Sequence, residues 1–120
     1  MSRPAVIDCD HFHTMTGGDR ALQAEVLAIF DEQSELWRRL LIPDAPVHTW
    51  RDAAHTVKGS ARGLGLWALA QACETAEALA KNGVKDGPVI AAELAKVRAA
   101  LVEATEVIRH VLETGDCQSV

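Results

Sequence analysis

Tyrosine is absent from this chain, and aromatic residues make up only 4% of it although 48% is hydrophobic. A core of that kind has to be built from Leu, Val, Ile and Ala, which favours packed helices over sheets. No apolar run approaches the ~18 residues of a membrane span, and no signal peptide is recognisable. A cytoplasmic protein is therefore expected. Cysteine is scarce and odd in number: Cys9, Cys73 and Cys117 show neither a disulfide framework nor zinc spacing, so they read as reduced thiols. Positive charge is also in deficit, with 12 Lys and Arg against 17 Asp and Glu. The resulting net charge of −5 argues against a nucleic-acid partner, because a duplex binder needs surplus cations.

The nucleotide motif G-x-x-x-x-G-K-[ST] is missing, and Gly63-Leu64-Gly65 is too short for a dinucleotide fingerprint. The chain thus lacks an ATP site of its own. It also lacks the nucleophile-elbow sequence G-x-S-x-G of serine hydrolases. At 120 residues it is long enough for one domain, spanning 1–120, with a real core and no staples.

Turn residues cut the chain into helices. A short helix is expected over 8–15, ended by Gly17-Gly18, and Asp19 then caps a helix over 19–41. Leu22, Val26, Ile29, Phe30, Leu36, Trp37 and Leu40 share one broad face of it, interrupted by Gln33. Pro43-Asp44-Ala45-Pro46 separates this helix from one over 47–63. A third long helix, over 66–81, carries Leu69, Cys73, Ala76 and Ala80 on a seam. The last, over 88–113, repeats Ile90, Leu94, Val97, Leu101, Ala104, Ile108 and Val111 at near-heptad spacing. Four long amphipathic helices with short loops predict an all-α, antiparallel up-down four-helix bundle with a short additional N-terminal helix.

The 47–63 helix carries the chemistry. At about 100° per residue, His48, Arg51, His55, Lys58, Gly59 and Arg62 fall within about 60° of His55. Val47, Trp50, Ala53, Ala54, Val57, Ala61 and Leu64 lie opposite. A helix so divided buries one face and presents an imidazole to water among three cations. A neutral imidazole nitrogen is a good nucleophile near neutral pH, and its phosphorylated product carries close to two negative charges. Arg51, Lys58 and Arg62 are spaced to sit beside such a phosphate. Gly59 costs the helix about 0.5–1 kcal/mol relative to Ala, and it leaves room for another protein's backbone.

The run His55-x-x-Lys58-Gly59-Ser60-Ala61, followed by Leu64-Gly65, Leu69, Cys73 and Glu77 and preceded by Gly17-Gly18-Asp19, resembles the histidine-containing phosphotransfer (HPt) domains of multistep phosphorelays. The resemblance covers nearly the whole chain. It implies that His55 is the phosphoacceptor, that Lys58 steadies the phosphate and that Gly59 makes space for the partner. It places Glu77 where the family commonly has Gln or Glu, a residue that orients the imidazole. Arg62 departs from the family pattern, in which small residues are more usual. The implied partners are response-regulator receiver domains and a hybrid sensor kinase, with Mg²⁺ bound by the receiver and no cofactor in this chain, which would act as a monomer. Ile7, Phe12 and Met15 are expected to form an apolar docking patch beside the basic stripe.

On spacing alone Glu77 lies about 80° off the seam of its helix. From there it could accept the Nδ1 proton of His55 or stand as a solvated surface glutamate. Its charge would favour acceptance of phosphate over storage. Cys9, His11 and His13 resemble a metal cluster, but alternate residues point apart on a helix and no second cluster completes a site. His48 shares the stripe without a Gly at i+4, and reads as a solvated histidine that lines the partner surface. His110 reads as a surface residue. Two other classes compete with phosphotransfer. One is a helical binding module that docks on a receiver or kinase without carrying phosphate. The other is a sensor-kinase or chemotaxis-kinase histidine domain, which would be labelled by ATP through an attached kinase domain.

Overall fold

The computed structural model describes residues 5–119, and residues 1–4 and 120 of the expected domain lie outside that range. Five helices follow in order: α1 Cys9–Met15, α2 Arg20–Leu40, α3 Val47–Leu64, α4 Trp67–Lys81 and α5 Gly87–Thr114, with a final 3-10 turn at Cys117–Ser119. No strand occurs among the described residues. Helices α2 to α5 form the bundle: α3 packs on α4, α4 on α5, α5 on α2 and α2 on α3. Asp19 caps α2 through Oδ1, which accepts from Leu22 N at 3.0 Å. Asp86 caps α5 in the same way through Val89 N, just ahead of Pro88.

The core consists of aliphatic seams. Ile90, Leu94, Val97, Leu101, Ala104, Ile108 and Val111 are all buried along α5, facing Leu69, Cys73 and Ala76 of α4 and Trp50, Ala54, Val57 and Ala61 of α3. The polar residues inside this layer are satisfied locally. Ser34 donates to Asp31 O at 2.6 Å and Thr105 to Val102 O at 2.8 Å. Arg98 of α5 donates to Leu41 O at 2.7 Å, tying α5 to the end of α2.

Two expected faces are corrected. The buried residues of α2 are Leu27, Phe30, Ser34 and Trp37, with Leu41 beyond its end, whereas Leu22, Ile29 and Leu36 are 39%, 51% and 50% exposed. The helix has two apolar rows about 100° apart, and only one of them meets α3 and α5. Gln33 belongs to the outer row and is exposed. The second correction concerns the N-terminal segment. Ile7 and Phe12 are 0% and 2% exposed, so neither is available as a docking surface, while Met15 remains 59% exposed.

The cause is the way in which α1 closes the end of the bundle. Asp8 N donates to Gly65 O at 2.9 Å, and the Asp8 side chain both caps α1 at His11 N and accepts from Trp67 Nε1 at 2.9 Å. His11 Nε2 lies 2.9 Å from Arg62 O, and its ring meets Trp67 edge-on. Gly65 ends α3 with φ 79°, and a Cβ there would come within 3.0 Å of Asp8. Only glycine allows both the turn and the contact. With its N-terminal end held this way, α1 drives Ile7 and Phe12 into the core.

The cysteines are a third correction. Cys9 and Cys117 form a disulfide across 108 residues of sequence, and Cys73 alone is a free, buried thiol. Helix α5 brings its C-terminal end back beside α1, a proximity that belongs to tertiary structure and leaves no mark on cysteine spacing. A crosslink closing so long a loop restricts the unfolded chain. Under oxidising conditions Cys117→Ser should lower the unfolding free energy by about 2–4 kcal/mol, read by denaturant titration. Under reducing conditions parent and variant should unfold together, and coincident curves in both would show that the crosslink contributes nothing.

Candidate functional site

His55 stands near the middle of α3 with its side chain 72% exposed. The flanking Ala53, Ala54 and Val57 are buried, so the apolar face of α3 fixes the direction in which the imidazole points. Glu77 approaches from α4, and its Oε2 lies 2.9 Å from His55 Nδ1. An ionised carboxylate can only accept, so Nδ1 donates and the neutral ring keeps its lone pair on Nε2. Among the described residues nothing bonds Nε2. Nε2 therefore faces outward while the ring is held from behind.

Lys58 completes the cluster. Its Nζ is 2.7 Å from Glu77 Oε1, and both side chains are mostly covered, at 16% and 20% exposure. Oε1 is buried, so this ammonium is a covered charge partner of the carboxylate. Burial raises the Glu77 carboxyl, but the bonds and charges of Lys58 and His55 outweigh it and hold the group below the ordinary glutamate range. One turn earlier on α4, Cys73 is fully buried beside this carboxylate. Burial first, and then the charge of Glu77, push its thiol up to about 12 in spite of Lys58. Cys73 is an unreactive floor to the site.

The remaining cations are not bare. Arg51 Nε lies 3.2 Å from Asp52 Oδ1, and Arg62 Nη2 lies 3.4 Å from Glu74 Oε2. Each member of the stripe Arg51, Lys58, Arg62 thus has a carboxylate beside it, and the stripe is less positive than its own residues suggest. Asp52 adjoins Arg51 on α3 itself, whereas Glu74 was not visible as a partner in the pattern of α3, because it comes from α4. The Arg51 and Arg62 pairs are half-exposed or more. Such pairs contribute only about 0–1 kcal/mol, so both guanidinium groups can exchange a carboxylate for a phosphate. His48 is exposed two turns before His55. Gly59 is exposed, and a Cβ placed on it would meet nothing within 4 Å.

Beside His55, on the side away from Glu77, an open groove of about 440 Å³ runs between α2 and α3. Val26, Ile29 and Gln33 line one wall and Thr56, Ser60 and Leu64 the other, over Phe30 and Trp37. This groove, rather than Ile7 and Phe12, is the apolar surface next to the imidazole. The spacing of Val26, Ile29 and Gln33 on α2 was its mark in the sequence. Cys9 and His11 are committed to the disulfide and to Arg62 O.

Comparison with known proteins agrees with this geometry. The Hpt domain model matches residues 20–113. The chain therefore belongs to the Hpt domain family, the helical phosphotransfer domains of two-component phosphorelays. Among solved structures, the histidine phosphotransferase ShpA from Caulobacter crescentus is 35% identical, with a TM-score of 0.72 over 95% of this chain and 97% of that one. No curated protein matches by sequence.

The Glu77 carboxyl is lower in the folded state than in the unfolded chain, so its contribution to stability is complete above the ordinary glutamate range. It is lost as the pH falls through the depressed folded-state value. Denaturation of the parent and Glu77→Gln across pH should show a gap that is widest near neutrality and closes in acid. A gap that stays constant down to acid pH would assign the difference to packing rather than to the carboxylate.

Proposed function

We propose that His55 takes a phosphoryl group from the aspartyl phosphate of one receiver domain and passes it to the aspartate of another. The observation that carries this reading is the Nδ1–Glu77 bond at 2.9 Å, which in the neutral tautomer puts the proton on Nδ1 and the lone pair on Nε2 of an exposed ring. In the accepting step Nε2 attacks phosphorus in line. The N–P bond forms as the bond to the carboxylate oxygen breaks, and the electron pair leaves with the aspartate. The ring becomes cationic while keeping its Nδ1 proton, and Glu77 stabilises that charge at the moment it develops. Donation to the second receiver runs the same path backwards and returns a neutral imidazole.

Little covalent chemistry is left for the protein to do, so positioning and electrostatics carry the rate. Lys58, with Arg51 and Arg62 once they leave their carboxylates, would neutralise the phosphate. His48 lies on the same face for contact with the partner. A Mg²⁺ ion in the receiver cleft would supply the remaining counter-charge. The chain would carry phosphate rather than draw it from ATP, with a hybrid sensor kinase upstream. No helix among the described residues is long and apolar enough to cross a membrane. A cytoplasmic setting suits such partners.

His55→Gln should abolish acid-labile, base-stable labelling by a phosphorylated receiver while leaving the melting temperature nearly unchanged, since the side chain is exposed. Label persisting there, or moving to His48, would refute the assignment. ATP alone should label neither protein. Gly59→Gln should fold as well as the parent, because nothing occupies the space beside Gly59. Its transfer from a receiver should nevertheless fall at least about tenfold, roughly 1.4 kcal/mol in the barrier, while reaction with a small phosphoramidate suffers much less. Equal loss with both donors would indicate a disturbed imidazole instead of a blocked approach.

A further inference from the structure

Beyond α5 the chain turns back on the bundle. The helix ends at Gly115, and the turn Cys117–Ser119 then lies against α1, where Cys117 meets Cys9. An open cavity of about 480 Å³ lies beside the pair, and both cysteines line it. That volume falls within the roughly 300–1,000 Å³ of small-molecule sites. Each of the two is half-buried, so a small thiol can reach the sulfurs, whereas Cys73 is 0% exposed in the core. The architecture does not rely on the crosslink. Asp8 N on Gly65 O and His11 on Arg62 O hold α1 in place, and Ile7 and Phe12 are buried beneath it. A half-buried bond that the fold does not need has the character of an exchangeable disulfide rather than a staple.

The cavity wall carries both signs of charge. Arg20, at the start of α2, is exposed and lines it, with Nη1 3.1 Å from the point where a Cβ on Gly115 would stand, two residues before Cys117. Among the described residues no carboxylate forms an ion pair with this guanidinium. Asp10 and Asp116 line the same cavity. A guanidinium grips a carboxylate in a fork and draws an anionic thiolate toward the neighbouring sulfur, while an aspartate accepts from an ammonium group. Such a wall suits a small thiol that carries both a carboxylate and an ammonium better than it suits an uncharged one.

We infer that this cavity is a thiol–disulfide exchange site for a small peptide thiol bearing carboxylate and ammonium groups, which Arg20 seats beside Cys9 and Cys117. The inference is independent of phosphoryl transfer at His55. In the reducing direction the ligand's thiolate attacks one sulfur of the pair. A mixed disulfide forms, the Cys9–Cys117 bond breaks, and its electron pair leaves on the other cysteine, which takes up a proton. A second thiolate then attacks the ligand's sulfur in the mixed disulfide and releases the first cysteine, which is protonated in turn. Two ligand thiols are oxidised to one disulfide, the protein disulfide is reduced to two thiols, and each proton lost by a ligand is matched by one gained by a cysteine. The ligand's disulfide runs the sequence backwards. Closing the pair ties the end of α5 to α1, the element that caps the bundle beside the end of α3.

The test follows reduction of the Cys9–Cys117 bond in the folded chain, read by mass after alkylation of the freed thiols, with glutathione and with uncharged mercaptoethanol as probes. Arg20→Gln should slow reduction by glutathione about threefold and Arg20→Glu about tenfold, and both differences should shrink at high salt. Mercaptoethanol should reduce both variants at the parental rate. In Cys9→Ser, glutathione disulfide should add one glutathione to Cys117 and none to Cys73, and adding Arg20→Glu should slow that reaction too. A parental rate with glutathione in Arg20→Glu overturns the recognition role. Equal slowing with both thiols also overturns it, because the substitution would then act on the bundle end and not on the ligand. A bond that neither thiol reduces while the chain stays folded is a fixed crosslink, and the exchange site itself is then refuted.

Discussion

The bond between His55 Nδ1 and Glu77 Oε2 joins two helices and one proton, and the rest of the site depends on it. It exists only if α3 and α4 pack in a register that brings residues 22 positions apart to 2.9 Å. That register is set by small residues. Ala54, Val57 and Ala61 on α3 and Cys73 and Ala76 on α4 are fully buried or nearly so, and none is large enough to force the helices apart. A larger side chain in place of Ala76 would widen this interface and lengthen the bond. Packing and tautomer are thus one property seen at two levels.

Lys58 and Glu77 divide the labour through their exposure. An isolated carboxylate this well covered would tend to take up a proton and lose its hold on Nδ1. Lys58, itself mostly covered, prevents that by standing 2.7 Å from the second oxygen. The lysine therefore supports the bond to Nδ1, in addition to the phosphate contact that its spacing suggests. The two arginines differ, because their partners are solvent-exposed and compete weakly. The resting face is close to neutral and becomes positive toward phosphate only as those pairs open, which limits electrostatic attraction for acidic surfaces that carry none.

The bundle was legible because helical periodicity is local: α5 reads directly from its heptads, and α3 shows both its buried and its wet face within 18 residues. The position of His55 was legible for the same reason. What periodicity could not convey is which of two apolar rows on α2 is covered, since that is decided by the neighbours of the helix and not by its own sequence. Ile7 and Phe12 were misread on similar grounds. They lie in a short, weakly patterned segment whose burial follows from Asp8 docking on Gly65, a contact 57 residues away along the chain. The Cys9–Cys117 pairing and the Arg62–Glu74 pair were hidden equally, because each joins residues on different elements.

Helix α2 shows why a phosphotransfer bundle tolerates apolar residues in water. Two rows on one helix would normally be an aggregation liability, because half-exposed Ile29 and Leu36 gain about 25 cal/mol for each Å² that a partner covers. Gln33 interrupts the outer row and Glu25 and Glu32 border it, so it is not a continuous apolar face. The opposite wall, with Thr56 and Ser60 rather than large aliphatics, keeps the groove shallow and open beside the imidazole. The groove does not cover Nε2. The groove and the held proton therefore lie on adjacent but separate sides of α3, one toward α2 and one toward α4. A substitution on the α2 side can therefore change the groove without moving the proton held on the α4 side.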